Sequence, residues 1–156
     1  MVLKDKVKLN KKLSTYFINQ YYKPDIKYSL ADRLNKFATS SIDLSDGLIS
    51  DLEKLTNKQK NTYQLYFDKI PISKNLNSVI NSKSLSKKNF ISKGDDYQIL
   101  FTAKTKSRLK IYKLSKKLKL KISRIGYITK NMNVFFEING KKFKTRATNL
   151  GYTHIF

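Results

Sequence analysis

The chain has 156 residues, with 33 Lys and Arg against 11 Asp and Glu, a formal net charge of +22, and no Cys. That length suits one domain with its own core, and 40% hydrophobic with 12% aromatic residues argues against disorder. The lack of Cys excludes disulfides, a thiol nucleophile and cysteine metal sites, and fits a reducing compartment.

The first 22 residues, "MVLKDKVKLNKKLSTYFINQYY", are basic but lack the apolar core and small-residue cleavage site of a signal peptide. No apolar run approaches the ~18 residues that would span a bilayer. A soluble, cytoplasmic protein is the expectation. Only four of the 33 basic residues are Arg: Arg33, Arg108, Arg124 and Arg146. Nucleic-acid sites draw on Arg for its bidentate fork and its stacking. Lys is instead spread along the chain beside many Asn, Ile, Tyr and Phe, all residues with A/T-rich codons. The charge therefore reads as a solvated Lys-rich surface, and neither nucleic acid nor a membrane is an expected partner.

In chain order, residues 9–22 read as a helix that ends before Pro24. "LADRLNKFA" reads as a short helix, with Leu30, Leu34 and Phe37 at helical spacing. "TSSIDL" reads as a short strand. "SDGLISDLEKLTNKQK" then reads as a helix that buries Leu48, Ile49, Leu52 and Leu55. "TYQLYFDKI" alternates as a strand does, with Pro71 ending it. "LNSVINS" is a short helix and "YQILFTA" a buried strand. "KSRLKIYKLSKKL" is an amphipathic helix with Leu109, Tyr112 and Leu118 inward and its lysines outward. "KLKISRIGYIT" reads as a long strand bent at Gly126, and "NVFFEINGKKFKTR" as a hairpin turning at Asn139-Gly140. There are no internal repeats and no linker tract. The order ααβαβαβαβββ predicts one α+β domain over residues 1–156, with residues 1–20 a linker and leading helix. Its architecture is an α/β sandwich: a mixed, mostly antiparallel sheet covered by helices.

Two acidic motifs stand out in so basic a chain. In Asp43-Leu44-Ser45-Asp46-Gly47 a strand gives way to a helix start, whose free N–H groups and positive dipole end favour phosphate oxygens. Carboxylates placed there can hold Mg²⁺, a hard cation that takes oxygen ligands and bridges to substrate phosphates. Ser45 can offer a hydroxyl or backbone group to a phosphate. The plain alternative is capping, since Ser or Asp at a helix start satisfies orphan N–H groups. Asp51, further along, reads as a solvent-facing charge. The second motif, Lys93-Gly94-Asp95-Asp96-Tyr97, stands just before "QILFTA". It can present carboxylates at a sheet edge, or it can be only a turn. Asp43, Asp46, Asp95 and Asp96 are four of the 11 acids, and together the pairs signal a site better than either does alone.

"SSIDLSDGLISDL", "IPIS", "ISKGDDYQILFT", "ISRIGYIT" and the terminal "GYTHIF" occur in the order and approximate spacing of the C-terminal domain of thiamine-monophosphate kinase. That family belongs to the aminoimidazole ribonucleotide synthetase-like superfamily, and the resemblance covers roughly Tyr21 to Phe156. "IDLSDGL" is shared across the superfamily; "GDDYQILFT" and "GYTHIF" point to the thiamine branch. The resemblance implies ATP-dependent phosphorylation of thiamine phosphate to thiamine diphosphate, by direct in-line transfer with Mg²⁺ ions holding both substrates. It implies Asp43 and Asp46 as Mg²⁺ ligands, Ser45 as a nucleotide contact, Asp95 as a contact to the thiamine moiety and Tyr152 as the aromatic on the substrate ring. Asp95 stands where the family often has Glu, which keeps the charge but shortens the reach.

The family's N-terminal domain, which supplies further Mg²⁺-binding aspartates, much of the nucleotide site and the dimer interface, has no counterpart here. The resemblance therefore implies a missing N-terminal half as partner, a homodimer in the complete enzyme, and a chain that is truncated, fragmentary or one half of a split enzyme. Two other readings stand beside it: a non-catalytic basic module of the same fold that binds nucleic acid, and another ATP-dependent synthetase of the superfamily. His154, the only His, can be read as a catalytic base, but with no nearby acid it reads better as a tail residue that packs or hydrogen-bonds.

Overall fold

The computed structural model describes residues 8–56, 62–94, 96–129, 135–138 and 141–144. Helix α1 spans Lys11–Tyr22. Its start is set by Asn10, whose side chain accepts the Leu13 N–H at 2.9 Å. The predicted short helix divides into α2 (Tyr28–Ala31) and a 3₁₀ turn at Leu34–Lys36. Strand β1 (Ala38–Asp43) leads into α3 (Leu48–Leu55), then β2 (Thr62–Tyr66). Helices α4 (Lys74–Ser82) and α5 (Lys88–Ile91) follow; α5 is the one helix absent from the predicted order. Strand β3 (Ile99–Ala103), α6 (Arg108–Leu118), β4 (Gly126–Thr129), β5 (Phe135–Ile138) and β6 (Lys141–Lys144) complete the chain.

The strands form two sheets. Strand β1 pairs antiparallel with β3, Ser41 opposite Phe101 and Asp43 opposite Ile99. The other sheet has the order β4-β2-β5-β6, with β2 and β5 parallel and its other two pairings antiparallel. The expected α+β class and mixed, mostly antiparallel pairing both hold. Gln64 on β2 is buried, and its amide joins three strands: Nε2 donates to Glu137 at 2.6 Å and Oε1 accepts from the Tyr127 hydroxyl at 2.7 Å. A buried amide with both ends bonded fixes register at little cost.

Helix α3 sits between two apolar clusters. Ile49 and Leu52 pack with Tyr63 and Leu65 of β2, while Leu48 packs with Ile70 and Ile91. Leu100 of β3 and Ile125 touch both clusters. Each fully buried side chain of this size contributes about 1.5–3 kcal/mol. This eight-residue helix is therefore held by its packing, since its length alone does not sustain it.

Three expectations are corrected. The strand read into "TYQLYFDKI" stops at Tyr66, where a 3₁₀ turn (Phe67–Lys69) takes over. Lys87 secures that turn by donating to the carbonyls of Phe67 and Ile70 at 2.8 and 2.7 Å. Because β2 leaves the sheet there, the segment before Gly126 loses its ladder partner after the single bond from Tyr66 N–H to the Ile125 carbonyl, and β4 is four residues long. In α6 the half-buried positions are Ile111, Leu114, Ser115 and Leu118; Leu109 and Tyr112, expected inward, are 64% and 60% exposed. The Asn139-Gly140 turn lies outside the described residues, but β5 and β6 on either side of it pair antiparallel as a hairpin requires.

Candidate functional site: the acidic turn between β1 and α3

The two acidic motifs meet backbone to backbone. Beyond Asp43 the β1–β3 ladder continues for one residue: Leu44 N–H donates to the Gln98 carbonyl and Tyr97 N–H to the Leu44 carbonyl, both at 2.9 Å. The chain then turns through Ser45, Asp46 and Gly47 into α3. A Cβ placed on Gly94 would lie 1.8 Å from the Ser45 carbonyl oxygen, and one on Gly47 would lie 2.8 Å from the Ser92 carbonyl. Gly47 also has φ +109°, a conformation that side chains resist. Glycine at both positions is what lets "DLSDG" and "SKGDD" touch.

The turn is organised by Asp51. Its Oδ2 accepts three backbone N–H groups, from Ser45 at 3.0 Å, Asp46 at 2.9 Å and Gly47 at 3.1 Å. The side chain is wholly buried. The reading of Asp51 as a solvent-facing charge is therefore corrected: an ionised carboxylate can be buried when it collects several charge-assisted hydrogen bonds. The signal was in the sequence. Positions 48, 51, 52 and 55 form one i, i+3, i+4, i+7 stripe, so Asp51 shares the face of Leu48, Leu52 and Leu55. The capping alternative also changes hands. Gly47 is the N-cap of α3 and has no side-chain cap bond; the donors ahead of the helix are satisfied by Asp51 reaching back.

Asp43 and Asp46 stand at the two ends of this turn. Asp43 is exposed at the close of β1, and Asp46 is half-buried. Asp46 forms an ion pair with Lys54, whose Nζ also lies 3.2 Å from Asp51 Oδ1. The Asp46 carboxylate is the main cause that raises the Lys54 ammonium above its ordinary pKa; partial burial opposes it and Asp51 adds to it. Ser45 lies half-buried between the two aspartates. Asp95 and Tyr152, the expected substrate contacts, and His154 lie outside the described residues. Asp96 is exposed, its carbonyl accepting from Gln98 Nε2 at 3.3 Å.

Asp43 and Asp46 are the carboxylates that this turn could offer a cation. Among the described residues no group of three or more Asp, Glu or His converges. Mg²⁺ bound by one or two protein carboxylates completes its shell with water and substrate phosphates. A cation already rests on Asp46, the Lys54 ammonium, so this carboxylate is placed to hold positive charge.

No family model matches the chain. It is 33% identical over 144 residues to a thiamine-monophosphate kinase of Buchnera aphidicola subsp. Acyrthosiphon pisum (strain APS), covering 90% of this chain and 44% of that protein. The corresponding kinase of Buchnera aphidicola subsp. Schizaphis graminum (strain Sg) is 36% identical over 121 residues, 77% of this chain and 37% of that protein. Among solved structures, thiamine-monophosphate kinase from Stenotrophomonas maltophilia K279a superposes with a TM-score of 0.66 at 26% identity, over 86% of this chain and 42% of that one. A structure of AaThiL complexed with AMPPCP and TMP superposes with a TM-score of 0.71 over 99% of this chain and 45% of that one; at 21% identity it speaks to the fold alone. The chain spans less than half the length of the curated relatives it matches. By sequence and fold it is related to thiamine-monophosphate kinase, over the C-terminal portion of that family's length.

Proposed function

We propose that this chain supplies the C-terminal half of a thiamine-monophosphate kinase site, in which ATP phosphorylates thiamine phosphate to thiamine diphosphate. The observation that carries this reading is the close approach of Gly94 to the Ser45 carbonyl, which brings the backbones of both acidic motifs together in a chain related to that kinase. The name of the curated relatives, thiamine-monophosphate kinase, supports thiamine phosphate as the phosphate acceptor, and a protein that shares the fold carries AMPPCP and TMP, the pair this reading expects.

In this reading Asp43 and Asp46 hold Mg²⁺, and Ser45 contacts the nucleotide from the turn between them. Asp95 takes the thiamine moiety, whose cationic ring suits a carboxylate, and Tyr152 offers an aromatic face to it. Bound Mg²⁺ supplies charge neutralisation on the transferred phosphoryl group. Asp51 keeps the turn in one conformation, which matters because phosphoryl transfer depends mostly on positioning. No residue is assigned as nucleophile or general base; direct transfer between phosphates requires neither. Completion of the site falls to an N-terminal half, in the same polypeptide or a separate one, and the complete enzyme is expected to be a homodimer.

The test is reconstitution. The chain is combined with the N-terminal portion of a related kinase, and thiamine diphosphate formation is followed with ATP and Mg²⁺. Asp43→Asn and Asp46→Asn are each expected to lower the rate by at least about a hundredfold, the scale of losing one group that stabilises transition-state charge, with the fold intact by circular dichroism. Wild-type rates in both variants would sink the metal assignment.

A further inference from the structure

We propose that Lys54 is a resident counter-ion of the acidic turn, displaced from Asp46 onto Asp51 when a divalent cation enters. This deepens the reading of Asp46 as a cation ligand and rests on it. One ammonium is shared by two carboxylates that differ in kind: it pairs with Asp46 and lies 3.2 Å from Asp51 Oδ1. Asp51 cannot follow it, because its other oxygen accepts three backbone N–H groups and the side chain is fully buried. Asp46, at the outer end of the turn, retains 18% of its side-chain exposure, and Lys54 retains 48%.

A divalent cation on Asp46 puts two positive charges where the ammonium now rests. The ammonium must leave, and it already has a fixed anion to leave for, so the exchange gives up one of two contacts rather than stranding a charge. The long, exposed Lys54 stem can make that short move without disturbing α3. Because a pair this exposed is weak, the competition amounts to a several-fold effect and does not close the site.

The experiment titrates the chain, combined with the N-terminal portion of a related kinase as in the reconstitution above, with Mn²⁺, read by electron paramagnetic resonance, with Mg²⁺ as competitor. Lys54→Met is expected to bind Mn²⁺ about threefold tighter or more than wild type, the scale of removing an exposed pair. Lys54→Gln should do the same, and Lys54→Arg should stay near wild type. The gain should vanish when Asp46→Asn is added, as for two residues acting on one event. Lys88→Met, on the exposed side of α5, controls for the loss of one positive charge from the molecule. Equal tightening by Lys88→Met, or unchanged or weaker binding by Lys54→Met while Asp46→Asn loses the ion, overturns the counter-ion role and leaves the metal reading standing. Mn²⁺ binding unaffected by Asp46→Asn, or absent from wild type and Lys54→Met alike, overturns the metal reading and the counter-ion role with it.

Discussion

Helices α3 and α6 both carry an apolar stripe and charged residues, yet they handle charge in opposite ways. Helix α3, with eight residues, fully buries Leu48, Ile49, Leu52 and the carboxylate of Asp51. Helix α6, with eleven, fully buries nothing and leaves Lys110, Lys113, Lys116 and Lys117 in solvent. The difference is supplied by the backbone. The turn ahead of α3 offers three N–H groups to one carboxylate. The exposed face of α6 offers its lysines mainly water, apart from Lys110, which donates to the Lys36 carbonyl at 2.9 Å, and Lys116, which lies over the Tyr112 ring. A net charge of +22 is thus poor guidance to how single charges are placed: Asp51 is buried on three N–H groups while the lysines of α6 stay exposed.

The sharpest way to break this contrast is Asp51→Ala. It removes the acceptor from three N–H groups, one of them fully buried, and strands the Lys54 contact. A loss of about 3–5 kcal/mol is expected from urea unfolding, the scale of deleting one partner from a buried charged network. Asp51→Asn keeps an acceptor oxygen and should lose clearly less. If Asp51→Ala were as stable as wild type, the carboxylate would not be what holds the turn.

A milder comparison trims one leucine from each helix. Leu52→Ala should cost about 2–5 kcal/mol, because the side chain is 4% exposed and packs on Tyr63 and Leu65. Leu109→Ala should stay within about 0.5 kcal/mol, because that side chain already faces water. Equal losses from the two would show that α6 packs more tightly than its exposure indicates.

Much of this was legible in the sequence, for reasons that can be located. The stripe Leu48, Ile49, Leu52 and Leu55 marked α3 and its buried face, and the motif "IDLSDG" placed Asp43 and Asp46 at the strand-to-helix turn. Residue type alone puts Asp51 in solvent, since an acid is usually a surface residue, but its helical phase places it in the buried stripe. In α6 the apolar residues at 109 and 112 fit one face and those at 111, 114 and 118 another, and periodicity alone could not say which meets the sheet. The contact of Gly94 with Ser45 was not readable at all. It depends on the β1–β3 register, a pairing across more than fifty residues that no local pattern encodes.

The smallest effect concerns pH, at the place where α3 meets β2. Tyr63 is 3% exposed and its hydroxyl lies 3.5 Å from a Glu53 carboxylate oxygen on α3. Burial first, and the Glu53 charge second, push its phenol well above the ordinary value. The folded chain therefore keeps this proton in a range where the unfolded chain, with a phenol near the usual ~10, has lost it. The sign follows from linkage. Where the native state binds more protons than the unfolded state, stability falls as pH rises. The stability tied to Tyr63 is intact below about pH 10 and declines from there as pH climbs toward the raised folded value. The raised Lys54 ammonium works in the same direction and window, losing its pairing as the pH passes upward through its own shifted value. Urea midpoints measured from pH 8 to 11 should thus fall less steeply in Tyr63→Phe than in wild type, with Lys54→Met flattening the curve further. Parallel slopes for Tyr63→Phe and wild type above pH 10 would mean that the buried phenol gives up its proton as readily folded as unfolded, and that α3 shelters the Asp51 carboxylate without sheltering the tyrosine beside it.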